Sequence, residues 1–231
     1  MRFLIVAILV SWFSITCSAQ KFKAGFTLGL NATDINGADT RDNDNDFSKL
    51  GVTVGGIVST AINEKTIFQL ELKFVQKGHL DKPDSLNNGY SKISLYYSEA
   101  PVLIKRQLKF NMRKKPMTRF MLECGASVGR LVNYEVIGAT NYKIYSGPEL
   151  FNFYDVSLLA GLGYNFSERV SLSIRYSNSV IPVIKKNIPN PAFITYSFNR
   201  GNNMVFQFAF KFVFGAVKKK EEAPLPVESN I

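Results

Sequence analysis

Long apolar runs, cysteine, histidine and tryptophan are scarce in this sequence, and each scarcity removes a class of protein from consideration. Beyond residue 20 no run reaches the about 18 apolar residues of a membrane-crossing helix, so a helical membrane protein is not expected. Cysteine occurs twice, as Cys17 and Cys124, tryptophan once, as Trp12, and histidine once, as His79. Trp12 and Cys17 lie in the one apolar segment, at the start of the chain, and Cys124 has no histidine or cysteine close by in sequence. A disulfide framework is therefore excluded for the rest of the chain, and Cys124 reads as a small buried or lipid-facing residue. The balance of the composition is that of a sizeable folded domain: 231 residues, 46% of them hydrophobic.

The opening segment "MRFLIVAILVSWFSITCSAQ" has a basic Arg2, an apolar centre and the small-residue end Cys17-Ser18-Ala19 before Gln20. That order is the order of a cleaved secretory signal, expected to span residues 1–19. The alternative, in which Cys17 carries a lipid, has a poor approach in Ile15-Thr16.

The rest of the chain is rich in two-residue alternation. In "MVFQFAFKFVFG" Phe206, Phe208, Phe210, Phe212 and Phe214 take every second place, with Gln207, Ala209 and Lys211 between them. Successive side chains of a strand point to opposite faces, so one face here is bulky and apolar and the other small or polar. The same pattern marks "KFKAGFTLGLN", "TIFQLELKFVQKG" and "VSLSIRYSNS", and less regularly 50–61, 93–110, 118–132 and 154–164, giving eight candidate strands. The connections near 32–49, 78–92, 133–153 and 178–202 are long and rich in Asn, Asp, Gly and Pro. Those near 62–65, 111–117 and 165–169 are short. Long loops at one end and tight turns at the other are the layout of an outer-membrane barrel, with extracellular loops and periplasmic turns.

A soluble barrel with a greasy pocket would show a similar alternation, and volume separates the two. The interior of an eight-stranded barrel is just wide enough for side chains to fill. The face studded with Gly, Ser and Thr fits inside, which turns the phenylalanines outward, where in water they would aggregate. The fold class expected is all-β, an eight-stranded antiparallel up-and-down transmembrane barrel over 20–215. By parity the inward set carries Glu71, Lys73, Glu99, Lys105, Glu123, Asp155, Arg175 and Lys211, four acids and four bases. Buried charges persist when paired, so this balance suggests a packed polar network rather than a selective pore.

The segments "AGFTLGLNATDINGAD", "FQLELKFVQKG", "YSEAPVLIKRQLKF", "DVSLLAGLGYNF" and "VSLSIRYSNSV", followed by the aromatic last strand, resemble the PorT-like outer-membrane β-barrel family of the Bacteroidetes. The most specific part is the stretch holding Glu99, Pro101 and Lys105, preceded by the Gln-x-Glu strand and Lys77-Gly78. The resemblance implies an outer-membrane barrel and carries over no catalytic or ligand site. Its eponymous member is linked to type IX secretion and gliding-related export, so an accessory role in such machinery is the alternative to a structural or interaction role through the loops.

Outside the strands, Asp42 to Asp46 resembles the front of a calcium loop, but Phe47 replaces the turn glycine and Thr53 the terminal Glu. His79 with Asp81, Asp84 and Ser85 suggests a hydrolase site, but neighbours on a loop do not supply a fixed nucleophile, base and orienting group. Asp84-Ser85-Leu86 also matches a short O-glycosylation pattern. In the fourth long loop Ile181, Val183, Ile184, Phe193 and Ile194 are apolar, so that loop either folds over the barrel mouth or presents a partner-binding patch. No enzyme, metal or cofactor is expected. The formal net charge is +10, and Lys109, Arg113, Lys114, Lys115 and Arg119 cluster at one periplasmic turn, where anionic lipid or an acidic periplasmic protein is a better partner than nucleic acid. Residues 216–231, with Lys218–Lys220, Glu221, Glu222, Pro224 and Pro226, are expected to form a disordered periplasmic tail. The barrel is expected to be monomeric in outer-membrane lipid. On electrophoresis of the detergent-extracted outer membrane, its band should run faster unheated than boiled. A soluble protein with no heat shift would put the phenylalanines inside.

Overall fold

In a computed structural model the described residues form ten strands, eight of which close into one antiparallel barrel. The structure describes residues 22–38, 47–81, 91–108, 110–112, 115–117, 119–137, 150–184 and 198–214. The expected signal (1–19), the tail (216–231), the Asp42–Asp46 run and the Asp84-Ser85 site lie outside the described residues.

The strands are β1 (Lys23–Ala38), β2 (Lys49–Asn63), β3 (Thr66–Asp81), β4 (Ser91–Gln107), β5 (Phe110–Met112), β6 (Lys115–Met117), β7 (Phe120–Ile137), β8 (Tyr154–Asn165), β9 (Val170–Ser179) and β10 (Phe198–Phe214). Around the barrel the order is β1-β10-β9-β8-β7-β4-β3-β2, so the first and last strands close the wall. Closure leaves no row of unpaired backbone groups, the condition for a sheet to sit in hydrocarbon.

Two boundaries differ from the sequence reading. The segment 111–117, expected to be a tight turn, holds the β5–β6 ribbon, which stands apart from the barrel ladder. The strands also run further toward the loop end: Ala32 to Asn36, placed in a loop by their composition, continue the ladder opposite Phe206 to Asn202. Strands such as the 18-residue β7 exceed the about 9–11 residues of a tilted bilayer crossing, so their loop ends are free of the demand for an apolar outer face. Alternation fades there although pairing continues.

Phe26, Leu28, Leu30, Leu72, Ile104, Leu122, Leu162, Ile174, Phe206, Phe208, Phe210 and Phe214 are exposed on the outer wall. Phe26 stacks on Phe212 at 5.5 Å, and Tyr164 packs against Phe120 and Phe166 at 5.1 and 5.0 Å, all near the turn end. Nearer the loop end Phe206 packs against Phe47 and Tyr176 at 4.8 and 4.9 Å. Phe206 and Phe214 are about 27 Å apart along the strand, or about 21 Å in height at a tilt of ~40°. That height and its aromatic borders match the lipid-facing band of outer-membrane barrels. Cys124 is a free thiol on this outer surface.

Small residues line the inner wall because the sheet curls tightly. A Cβ on Gly125 would lie 2.0 Å from the Val102 carbonyl oxygen of the neighbouring strand, whereas one on Gly56 would meet nothing closer than 3.9 Å. Gly125→Ala should therefore cost about 1–3 kcal/mol through overpacking and reduce the folded, fast-migrating fraction on unheated gels. Gly56→Ala should leave that fraction unchanged.

Candidate functional site

The lumen is filled by ion pairs arranged in tiers from the turn end upward. At the bottom Glu123 accepts from Lys211 Nζ at 3.0 and 3.1 Å and pairs with Lys105 at 3.2 Å. Above it Arg175 donates from Nε to Glu123 at 2.6 Å and from its two terminal nitrogens to both oxygens of Glu71 at 2.8 and 2.7 Å. The fork geometry of guanidinium suits this use, since one side chain ties two carboxylates on different strands. Gln69 donates to Glu71 at 2.5 Å and completes its shell.

The next tier joins Lys73 to Gln207 at 3.3 Å and, more loosely, to Glu99 at 3.7 Å. Gln207 in turn donates to Asn31 and Thr53 at 3.1 and 2.9 Å. Above these, Lys77 bridges Glu99 at 2.8 Å and Asp155 at 3.0 Å, with its ammonium 5.3 Å from the centre of the Tyr97 ring. Asp155 also accepts from Ser157, Ser179 and Asn203 at 3.0, 2.6 and 2.9 Å. In an interior of low dielectric each of these charges requires its partners, because a bare one would be strongly penalised.

Glu71, Lys73, Glu99, Lys105, Glu123, Asp155, Arg175 and Lys211 are all buried. Two further buried cations, Lys77 and Lys49, lie outside the parity set, so the interior is not balanced at four against four. Lys77 is legible from its odd position on β3, while Lys49 falls in a stretch that reads as a loop.

The loop end of the lumen is apolar, contrary to a uniformly polar inner face. Ile35, Ile93, Leu95, Tyr97, Val136, Leu150, Phe151, Val183 and Ile184 form one buried cluster there. Phe151 bridges to Ile184, and Val183 donates its amide to the Gly201 carbonyl at 2.7 Å, so two loop segments are laced into the mouth. In the fourth loop Val183 and Ile184 are thus buried, Ile181 is exposed, and Phe193 and Ile194 lie outside the described residues.

Asp84 and Ser85 lie outside the described residues, and His79 is not on a loop. It lies on β3, and its Nδ1 is 2.6 Å from Oδ1 of Asp34 on β1, which also accepts the Ile35 amide at 2.8 Å. The side chains of Asn31 and Thr33 on β1 likewise reach the Gln76 and Gly78 carbonyls of β3, each 45 residues away. Among the described residues no group of three His, Cys, Asp or Glu could hold a metal. Of the basic turn, Arg119 is exposed and reaches the Tyr164 hydroxyl at 3.4 Å. Lys115 opens β6, and Lys109, Arg113 and Lys114 lie outside the described residues.

The tiers make unequal demands on their members. Arg175→Met strips both Glu71 and Glu123 of their guanidinium and should cost about 3–5 kcal/mol. Lys211→Met leaves Glu123 with Arg175 and Lys105 and should cost about 1 kcal/mol. The midpoint of thermal conversion from the fast to the slow gel band orders the two variants.

A family model described as the outer membrane protein beta-barrel domain matches residues 18–185. No curated protein matches the chain. Among solved structures, Neisserial surface protein A is 12% identical with a TM-score of 0.43, covering 84% of this chain and 97% of that one. Ail, the attachment invasion locus protein of Yersinia pestis, is 10% identical with a TM-score of 0.42, covering 84% and 99%. OprG from Pseudomonas aeruginosa is 12% identical with a TM-score of 0.35, covering 84% and 95%. With the family model spanning most of the chain, a closed eight-stranded wall and an apolar outer band, this protein belongs to the outer membrane protein beta-barrel domain family and resides in the outer membrane.

Proposed function

We propose that this protein is a non-conducting, non-enzymatic barrel that stands as a monomer in the outer membrane and works as a scaffold for its extracellular loops. The observation that carries this reading is the filled lumen: ion-pair tiers through the bilayer depth, then an apolar cluster at the mouth. A transport path needs water or a graded series of sites, and a lumen packed with paired side chains offers neither. What varies freely on such a scaffold is the loop end, where binding residues concentrate in folds of this kind.

At the opposite end Lys65, Arg106, Arg119 and Arg169 are exposed just beyond the aromatic residues Phe120, Tyr164 and Phe166. Cations at that level fit the anionic headgroups of the periplasmic leaflet and anchor the barrel's height. A second reading, an accessory of secretion or gliding machinery as in the PorT-like barrels, is favoured by the β5–β6 ribbon standing apart from the wall on the basic turn. Co-purification of a periplasmic complex that is lost on deleting 216–231 would support that reading.

Purified barrel inserted in a planar bilayer should show no steady open level. Sustained, voltage-independent conductance steps would instead reveal a water-filled path and sink the scaffold reading.

A further inference from the structure

We propose that the loop end of the barrel carries a binding site for an oxyanion of the phosphate class, centred on Lys49. Lys49 opens β2, opposite Thr33 of β1, and is only 2% exposed, yet its ammonium has no hydrogen-bond partner. The other buried cations among the described residues are all met: Lys73 by Gln207, Lys77 by Glu99 and Asp155, Lys105 and Lys211 by Glu123, and Arg175 by Glu71 and Glu123. Among the described residues, pairing five buried cations and leaving the sixth without a hydrogen bond carries an expense that folding alone does not require.

The local backbone makes room for this side chain. Gly78 of β3 has φ +137°, a conformation that side-chain-bearing residues rarely adopt, and Cδ of Lys49 lies 3.1 Å from the place a Cβ there would take. The lysine stem thus crosses Gly78. Directly opposite Gly78 in the β3–β4 ladder stands Ser94, wholly buried, whose hydroxyl also has no partner. Two orphaned donors of different type, on strands either side of one glycine, form a set that a single oxyanion with several acceptor oxygens satisfies.

The surrounding charges favour an anion. Among the described residues the charged side chains acting on Lys49 are Lys92 and Glu135, and their sum with Lys49 is positive. Asp34, adjacent in sequence to Thr33, is engaged by His79 and by the Ile35 amide. The same chemistry fits free phosphate and the phosphorylated headgroup of an outer-leaflet lipid. The site stands on the fold alone, so it holds whether or not the scaffold reading does.

The test is thermal conversion of the full-length barrel in detergent, with inorganic phosphate, with a short-chain phosphatidic acid, and with chloride at matched ionic strength. A saturable upward shift of about 2–4 °C with phosphate and phosphatidic acid marks a free-anion site, and a shift with phosphatidic acid alone marks a headgroup site. No shift, or an equal shift with chloride, overturns the proposal. Lys49→Met should keep or raise the midpoint without ligand, because an unpaired buried charge is removed, and should abolish the shift. Lys92→Gln, at a partly exposed position, should weaken the shift several-fold without unfolding the barrel. If Lys49→Met lowers the unliganded midpoint, or leaves the shift intact, Lys49 is a structural cation and the site is not there.

Discussion

Eight strands enclose a lumen about one side chain deep from every wall, and its closure by β1 and β10 determines what each strand is permitted to carry. Volume and polarity are thereby coupled. Bulky apolar groups are driven outward into lipid, which accepts them, while the inner wall must be small near the backbone and polar toward the axis. Gly125 and its neighbours keep the wall tight. The long arms of Lys, Arg, Glu and Gln then reach across the space the glycines free.

Filling such a lumen with charge works only if the charges are shared. Arg175 is the clearest case, for its guanidinium donates to Glu71 through both terminal nitrogens and to Glu123 through Nε. Glu123 in turn is met by three cations and Asp155 by one cation and three neutral donors. The result is a cross-braced axis whose links join residues up to 176 positions apart, as between Asn31 and Gln207. A barrel wall alone resists shear along its strands poorly, and these links give it a fixed register. At the loop end, where lipid no longer dictates the outer face, the constraint relaxes and an apolar cluster seals the mouth.

Function concentrates where that relaxation begins. Through the bilayer the charges of the described residues are paired, and the buried side-chain atoms without a hydrogen bond there are mostly hydroxyls. At the mouth the pairing rule is broken once among the buried cations of the described residues, at Lys49, beside the Gly78 kink and the unpartnered Ser94. An unmet polar group on an otherwise satisfied scaffold is the kind of local inconsistency that marks a site.

Alternation by itself determined a great deal here. The five phenylalanines of β10, the paired Gly, Ser and Thr faces and the unequal connections were enough for strand number, barrel class and the outward face, because a two-residue period assigns every side chain to one of two surfaces. Parity also brought Glu71, Lys73, Glu99, Lys105, Glu123, Asp155, Arg175 and Lys211 to one face. It could say nothing of height or azimuth within the lumen, which depend on how the register accumulates around the closed wall. Only the tertiary structure therefore decided that Arg175 meets Glu71 and Glu123, that Lys77 bridges Glu99 and Asp155, and that His79 meets Asp34. The apolar mouth was equally out of reach, since past the membrane edge no outside phase enforces the alternation. Its residues are gathered from strands and two separate loops, and nothing short of the closed barrel places them together.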